Sequence, residues 1–424
     1  MKKIILSLLT LVSLTASAQF GAPRQNPIVP SVTENVTEDF KPALSNQDNK
    51  QYPMVNSQRM VRAQISAPNA TFVGLDINHK IYQMTKDENG VWTGTSEPQD
   101  PGFHYYQLNI DGASVPDPGS LYYYGASRWG SGIEVPSEDQ DFWQVKNVPQ
   151  GSMNEVYYYS TYTEKMRRCF VYLPNEYFTN PTKKFPVLYL QHGMGENEYS
   201  WPYQGHVAQI MDNLIAEKKA VPCIIVMDNG LNANRPGEQG GFGGFGGQRP
   251  QRPEGAQGQR PVNVQEALQG GQRPQGQRPQ GGFGGFGGFS EGFKNVLFND
   301  IMPMVEKNYR VIADPQHRAY AGLSMGGMQA REVTLANPGK FAYVGTFSSG
   351  AWSVEQVQAS DGFVKNTKLL FMSGGGKENM GCVEAAKNIK ALGMNAVGYE
   401  SEGTAHEFHT WRRSLYEFAQ LLFK

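Results

Sequence analysis

Residues 321 to 330 read AGLSMGGMQA. Ser324 stands between Gly322 and Gly326 in a G-x-S-x-G spacing. The run RAYAG before it predicts a strand, and GMQAREVTLAN after it predicts a helix. A serine at a tight strand-to-helix turn projects its hydroxyl clear of the sheet. Glycines two residues to either side let neighbouring backbone come close. The alternative is a small residue in an ordinary turn; the strand–helix setting favours a nucleophile. Such a serine needs a base, an acid, and donors for the oxyanion formed when it attacks a carbonyl.

The chain supplies candidates for base and donors. If the order is serine, acid, histidine, the base comes from GTAHEFHTW near the C-terminus, which offers His406 and His409. His406 follows a glycine-containing loop after the last strand candidate and is the expected base. One oxyanion donor is the amide of Met325, the residue after the serine. The other is expected in QHGMGENEYSW, where Gly193 and Gly195 allow a tight backbone around Met194.

The elements that must hold these residues are legible from about residue 150. Apolar runs such as FPVLYLQHG, VPCIIVMDNG, HRAYAGLS, FAYVGTFSSG, KLLFMSGGG and AVGYES alternate with helix-like runs ending in WRRSLYEFAQLLF. Strands apolar throughout, alternating with helices, predict a mostly parallel sheet covered on both faces. One segment interrupts it. GGFGGFGG occurs at 240–247 and again at 281–288, with Gln-Arg-Pro five times between. Such glycine and proline density cannot bury enough apolar surface to offset ordering entropy. Residues 232–291 are therefore expected to be a disordered surface insertion, either a spacer or a flap touching a glycan.

Before this domain, residues 51–148 carry short alternating runs with the hairpin-type turn DENG at 87–90, which predicts a small antiparallel β-sandwich. YYQLNIDGASVPDP resembles the end of an early-set, immunoglobulin-like module related to glycogen-binding modules. Such modules often precede domains that act on polysaccharides.

The region from 149 to 424 resembles a feruloyl esterase of carbohydrate esterase family one, in the esterase D and antigen 85-like branch of α/β hydrolases. The similar stretches are YLQHGMGENEYSW, DNLIAEKKAVPCIIVMDNG, NDIMPMVEKNYRV, HRAYAGLSMGG, FAYVGTFSSG and HEFHTW. The resemblance implies catalytic roles for Ser324, for His406 and for the tryptophan five residues on, Trp411. Trp201 and Trp411 are expected to contact substrate. The family's aspartate lies in a G-x-x-D loop; here that loop reads Gly376-Lys377-Glu378-Asn379. Asparagine could orient an imidazole but could not stabilise its cation. Glu378 is the expected acid, with Glu384 a more distant substitute and no acid at all a third possibility.

These readings imply an exported serine esterase with no cofactor and no metal, and the resemblance implies that it cleaves feruloyl or acetyl esters on plant cell-wall polysaccharides of the xylan type. Siderophore ester hydrolysis by an enterochelin-type esterase is one rival. A carbohydrate-binding protein with a weakened site is another. Composition sets the frame: 39 acidic against 38 basic residues give no electrostatic reason to expect nucleic acid or an anionic membrane as partner. MKKIILSLLTLVSLTASAQF reads as a signal peptide cleaved near Ala18, too short in its apolar stretch to span a bilayer. Residues 19–50, rich in Pro, Asn, Asp and Glu, are expected to be a flexible leader. Cys169, Cys223 and Cys382 lack metal-ligand spacing and imply no required disulfide.

Overall fold

The computed structural model describes residues 26–237 and 287–424. The signal segment and most of the 232–291 insertion lie outside the described residues. The helix Gly287–Val296 begins inside that expected insertion and Ser290 is buried, so the domain resumes earlier than expected.

The N-terminal region comprises β1 (Ile28–Pro30), β2 (Lys41–Pro42), β3 (Met54–Val55), β4 (Met60–Ser66), β5 (Val73–Ile77), β6 (Lys80–Gln83), β7 (Thr85–Lys86), β8 (Val91–Pro98), β9 (Gly102–Ile110), β10 (Ala113–Val115), β11 (Tyr122–Gly125) and β12 (Arg128–Val135). One sheet runs β1-β6-β5-β9-β12-β11 with β10 on β9; the other runs β2-β3-β4-β8-β7. Both contribute to one core, with Val61, Ala63 and Trp92 from the second meeting Leu75, Tyr106, Leu108 and Ile133 from the first. The expected leader is corrected here. Ile28 pairs with Ile81 in parallel, Lys41 pairs with Val55, and Val29 packs on the core. Strands of two or three residues show no periodicity, so composition alone could not reveal them.

The C-terminal sheet has β13 (Ser152–Ser160), β14 (Lys165–Leu173), β15 (Val187–Gln191), β16 (Ile224–Asp228), β17 (Arg318–Leu323), β18 (Tyr343–Phe347), β19 (Leu369–Gly375) and β20 (Ala396–Ser401). Their order is β13-β14-β16-β15-β17-β18-β19-β20. From β16 to β20 all pairings are parallel; β13 and β14 form an antiparallel edge that the apolar pattern had not revealed.

Alternation explains why the strands are apolar throughout. Leu188, Leu190, Ile225, Met227, Ala319 and Ala321 face one layer, which includes Leu214, Trp411, Leu415 and Phe418. Val187, Tyr189, Ile224, Val226 and Tyr320 face the other, with Phe293, Leu297, Val305 and Val333. A sheet buried on both faces leaves no polar side to its strands.

The two regions are tied by a buried ion pair. Arg412 grips both carboxylate oxygens of Glu134 in β12, and its Nε donates to the Gln204 carbonyl at 2.6 Å. Burial alone would push the Glu134 carboxyl up, but the Arg412 charge and the His206 and Arg412 hydrogen bonds hold it at about 2.

Candidate active site

The parallel strands place Ser324, Glu378, His406 and the Met194 loop at one end of the sheet. Ser324 follows β17, Glu378 follows β19, and His406 lies in the loop after β20. The loop holding Met194 follows β15. Segments leaving the carboxyl ends of neighbouring parallel strands border one crevice.

Ser324 sits at φ 50°, ψ −116°, between β17 and the helix Met325–Ala336. Its amide donates to the Phe347 carbonyl at 2.7 Å, which pins the turn to β18. A non-glycine residue at positive φ is strained. The flanking glycines make the turn possible. A Cβ on Gly322 would stand 2.4 Å from the Gly326 carbonyl carbon, and one on Gly326 would stand 2.5 Å from the His192 carbonyl oxygen.

The Ser324 hydroxyl lies 2.9 Å from His406 Nε2, and His406 Nδ1 lies 2.7 Å from Glu378 Oε1. Glu378 Oε2 accepts from the Ser348 hydroxyl at 2.6 Å and from the Gly375 amide at 2.7 Å. Burial raises the Glu378 carboxyl. The hydrogen bonds from His406, Ser348 and Gly375 outweigh that and bring it below its usual value. A carboxylate so held fixes the imidazole with Nδ1 protonated, leaving Nε2 to accept the serine proton. The His406 side chain is 48 % exposed, so the site opens to solvent. Trp411 packs edge-to-face on its ring, 5.2 Å between centroids.

The neighbouring candidates go elsewhere. Asn379 takes a left-handed φ of 51° that ends the short turn Gly376–Glu378. Glu384, 67 % exposed, faces solvent beside Lys387 at 3.7 Å. His409 is buried against the N-terminal region. Its Nδ1 lies 3.1 Å from the Pro101 carbonyl, and its Nε2 lies 3.1 Å from Asp139. The expectation that Trp201 contacts substrate is corrected. It is 1 % exposed, donates to the Gln191 carbonyl at 3.0 Å, and meets Phe347 edge-to-face beneath the site. A large aromatic ring in a motif loop filled the nearest core instead of facing solvent.

Met325 opens its helix, where the first amides have no intrahelical acceptor. Met194 lies in a turn closed by the Glu196 amide on the Gly193 carbonyl at 3.3 Å, a closure that uses neither the Met194 nor the Gly195 amide. His192 braces this loop. Its Nδ1 donates to the Gly193 carbonyl at 2.8 Å, and its Nε2 accepts from the Gly230 amide at 3.0 Å. Burial lowers the imidazole to about 4 and keeps it neutral.

A cleft of about 610 Å³ runs beside His406 and Trp411. The N-terminal region supplies much of its wall, including Asp76, Asp100, His104, Tyr105 and Arg128. Sequence reasoning did not find this shared wall, nor Ser348; nothing local in either segment signals the contact. A larger cavity of about 900 Å³ lies beyond His409 and includes none of Ser324, His406 and Glu378. Among the described residues there is no cluster of three or more His, Cys, Asp or Glu that could hold a metal. The three cysteines are buried and free, and no described helix is long and apolar enough to cross a membrane.

The Esterase family profile matches residues 160–255 and 270–417. An endo-1,4-beta-xylanase/feruloyl esterase of Xylanibacter ruminicola is 41% identical over 397 residues, 91% of this chain and 48% of that protein. The chain thus spans about half the length of that relative. The enterobactin esterase of Shigella flexneri, solved in the presence of enterobactin, aligns with TM-score 0.57 and 14% identity over 86% of this chain and 92% of that one. That likeness is one of fold, of the α/β-hydrolase type. A ferulic acid esterase of Anaeromyces mucronatus in complex with ferulic acid aligns with TM-score 0.49 and 20% identity, covering 68% of this chain and 96% of that one.

Proposed function

Because the chain belongs to the Esterase family over residues 160–255 and 270–417, we propose that it is an exported serine esterase that cleaves feruloyl or acetyl esters on xylan-type polysaccharides. The observation that carries the reaction type is the hydrogen-bonded line from the Ser324 hydroxyl through His406 to Glu378. The acyl and glycan class rests on the 41% identical xylanase/feruloyl esterase. In this reading the N-terminal pair of sheets is an immunoglobulin-like module that borders the cleft.

Ser324 Oγ attacks the ester carbonyl carbon as His406 Nε2 takes its proton. The amides of Met194 and Met325 hold the oxygen that gains the negative charge. Glu378 stays ionised and stabilises the imidazolium. Collapse breaks the bond to the sugar oxygen, which leaves with the proton from His406. Water then attacks the acyl-enzyme, again through His406, releasing the acid and restoring Ser324.

The cleft wall disfavours siderophore hydrolysis. Asp76 and Glu407 outnumber Arg128 as charged groups there, Asp100 being paired with Lys377 at 2.8 Å, which does not suit a poly-anionic catecholate. The test is ferulate and acetate release from feruloylated and acetylated xylo-oligosaccharides by the wild-type chain and by Ser324→Ala. Turnover of enterobactin with none of the xylo-oligosaccharide esters would refute the substrate class. Equal turnover by both proteins would refute the serine mechanism.

A further inference from the structure

The turn Gly193–Glu196 is fixed at three points. The Glu196 amide closes it on the Gly193 carbonyl, and the Glu196 side chain folds back so that Oε2 accepts the Gly193 amide at 3.1 Å. From the N-terminal region, the Ser127 amide donates to the Gly195 carbonyl at 2.7 Å. Gly195 takes φ +77°, the left-handed conformation that its place in the turn requires.

This turn abuts the nucleophile. A Cβ on Gly193 would stand 3.4 Å from Ser324 Cβ and 3.4 Å from Glu196 Oε2, so Gly193 neighbours both the serine and the carboxyl. Glu196 is 6 % exposed and lines the cleft with His406 and Trp411. Among the described residues, none of the Lys, Arg or His side chains forms an ion pair with it within 4 Å. The other titratable groups around the same cleft are Asp76, His79, Asp100, His104, Tyr105, Tyr106 and Arg128 from the N-terminal region, and His406 and Glu407 from the other. A buried carboxylate with one amide donor and no cation is costly, and the neutral acid is the cheaper form.

We propose that Glu196 is a positioning residue for the oxyanion-binding turn and does this as the neutral acid, so that its ionisation suppresses ester hydrolysis. The proposal rests on Ser324 being the nucleophile. Burial pushes the Glu196 carboxyl up to about 8, against the smaller opposing effect of the Gly193 amide. Below that pH the side chain holds Gly193 without bringing charge to the site. Above it, a carboxylate held on Gly193, the residue that abuts Ser324, opposes the negative charge developing on the substrate carbonyl, in surroundings that screen poorly.

The test is a profile of kcat and KM from pH 6 to 10 on phenyl acetate, with spontaneous hydrolysis subtracted, for wild type, Glu196→Gln and Glu196→Ala. In wild type kcat is expected to fall beyond about pH 8, approaching tenfold per pH unit. Glutamine keeps an acceptor for the Gly193 amide and does not titrate, so Glu196→Gln should lose that alkaline fall. Glu196→Ala frees the turn and should lower kcat by about tenfold or more at all pH values, with KM little changed. A Glu196→Gln profile that falls in parallel with wild type overturns the proposal, as does a wild type with no alkaline fall or a Glu196→Ala enzyme with wild-type kcat. If Glu196→Ala does not fold, the glutamine profile decides. Activity with parallel profiles removes this inference alone, whereas full activity in Ser324→Ala removes the serine reading and this inference with it.

Discussion

Glu378 Oε1 lies 2.7 Å from His406 Nδ1, and Glu378 stands one residue before Asn379, the place of the aspartate in the resembled family's G-x-x-D loop. The extra methylene of glutamate spans the offset, and the left-handed backbone at Asn379 turns the chain away immediately afterwards. A carboxylate able to steady an imidazolium therefore lies within hydrogen-bond distance of His406.

Glu378→Gln should lower kcat on a soluble ester by up to about 10⁴-fold, the loss seen when the carboxylate of a serine-protease triad becomes an amide. Glu384→Gln, in a residue facing solvent, should change kcat by less than about twofold. Steady-state kinetics of the two variants side by side check this. A mild Glu378→Gln with a severe Glu384→Gln would reverse the assignment.

Ser324→Ala should abolish turnover, by about 10⁶-fold if it acts with His406 as a unit. Stability should move by less than about 1 kcal/mol, because the described hydroxyl contact is with half-exposed His406 alone. Activity assays paired with urea unfolding separate the two effects.

The two histidines of HEFHTW should part company. His406→Gln is expected to lose hydrolysis about as completely as Ser324→Ala. His409→Gln should keep kcat within about threefold and lose about 1–2 kcal/mol of stability, since its ring bonds the Pro101 carbonyl and Asp139 at the junction of the two regions. Loss of catalysis in His409→Gln at unchanged stability would contradict this division.

Arg412→Ala leaves Glu134 buried without its cation and should cost about 3–5 kcal/mol in urea unfolding. Replacing both partners by apolar residues should cost less, since neither charge then remains desolvated. A single substitution as mild as the double one would show that water reaches the pair.

Glu134 also sets an acid response. Its carboxyl sits at about 2 in the folded chain, below its ordinary 4.5, so the unfolded chain binds more protons between those values. The stabilisation is fully present above pH 4.5 and is lost as pH falls toward 2. In Glu134→Gln the fall of stability with pH across that window should be shallower than in wild type. Identical slopes would place the acid sensitivity elsewhere.

What the sequence alone determined was what local pattern can encode. The G-x-S-x-G spacing between a strand and a helix needs only ten consecutive residues, and the alternation of apolar strands and helices follows from burying both faces of a sheet. His406 was legible as a candidate base because it follows the last strand. The tertiary structure decided what depends on direction and distance. Glu378 and Asn379 are neighbours in the chain, and only the backbone turn between them shows which side chain meets His406. Trp201 lies in a motif loop yet fills the core. Ser348 on Glu378, Ser127 on Gly195 and Glu134 on Arg412 join segments far apart in sequence, the last separated by 278 residues. Contacts of that kind arise from how sheets pack against one another, so no periodicity or short motif records them.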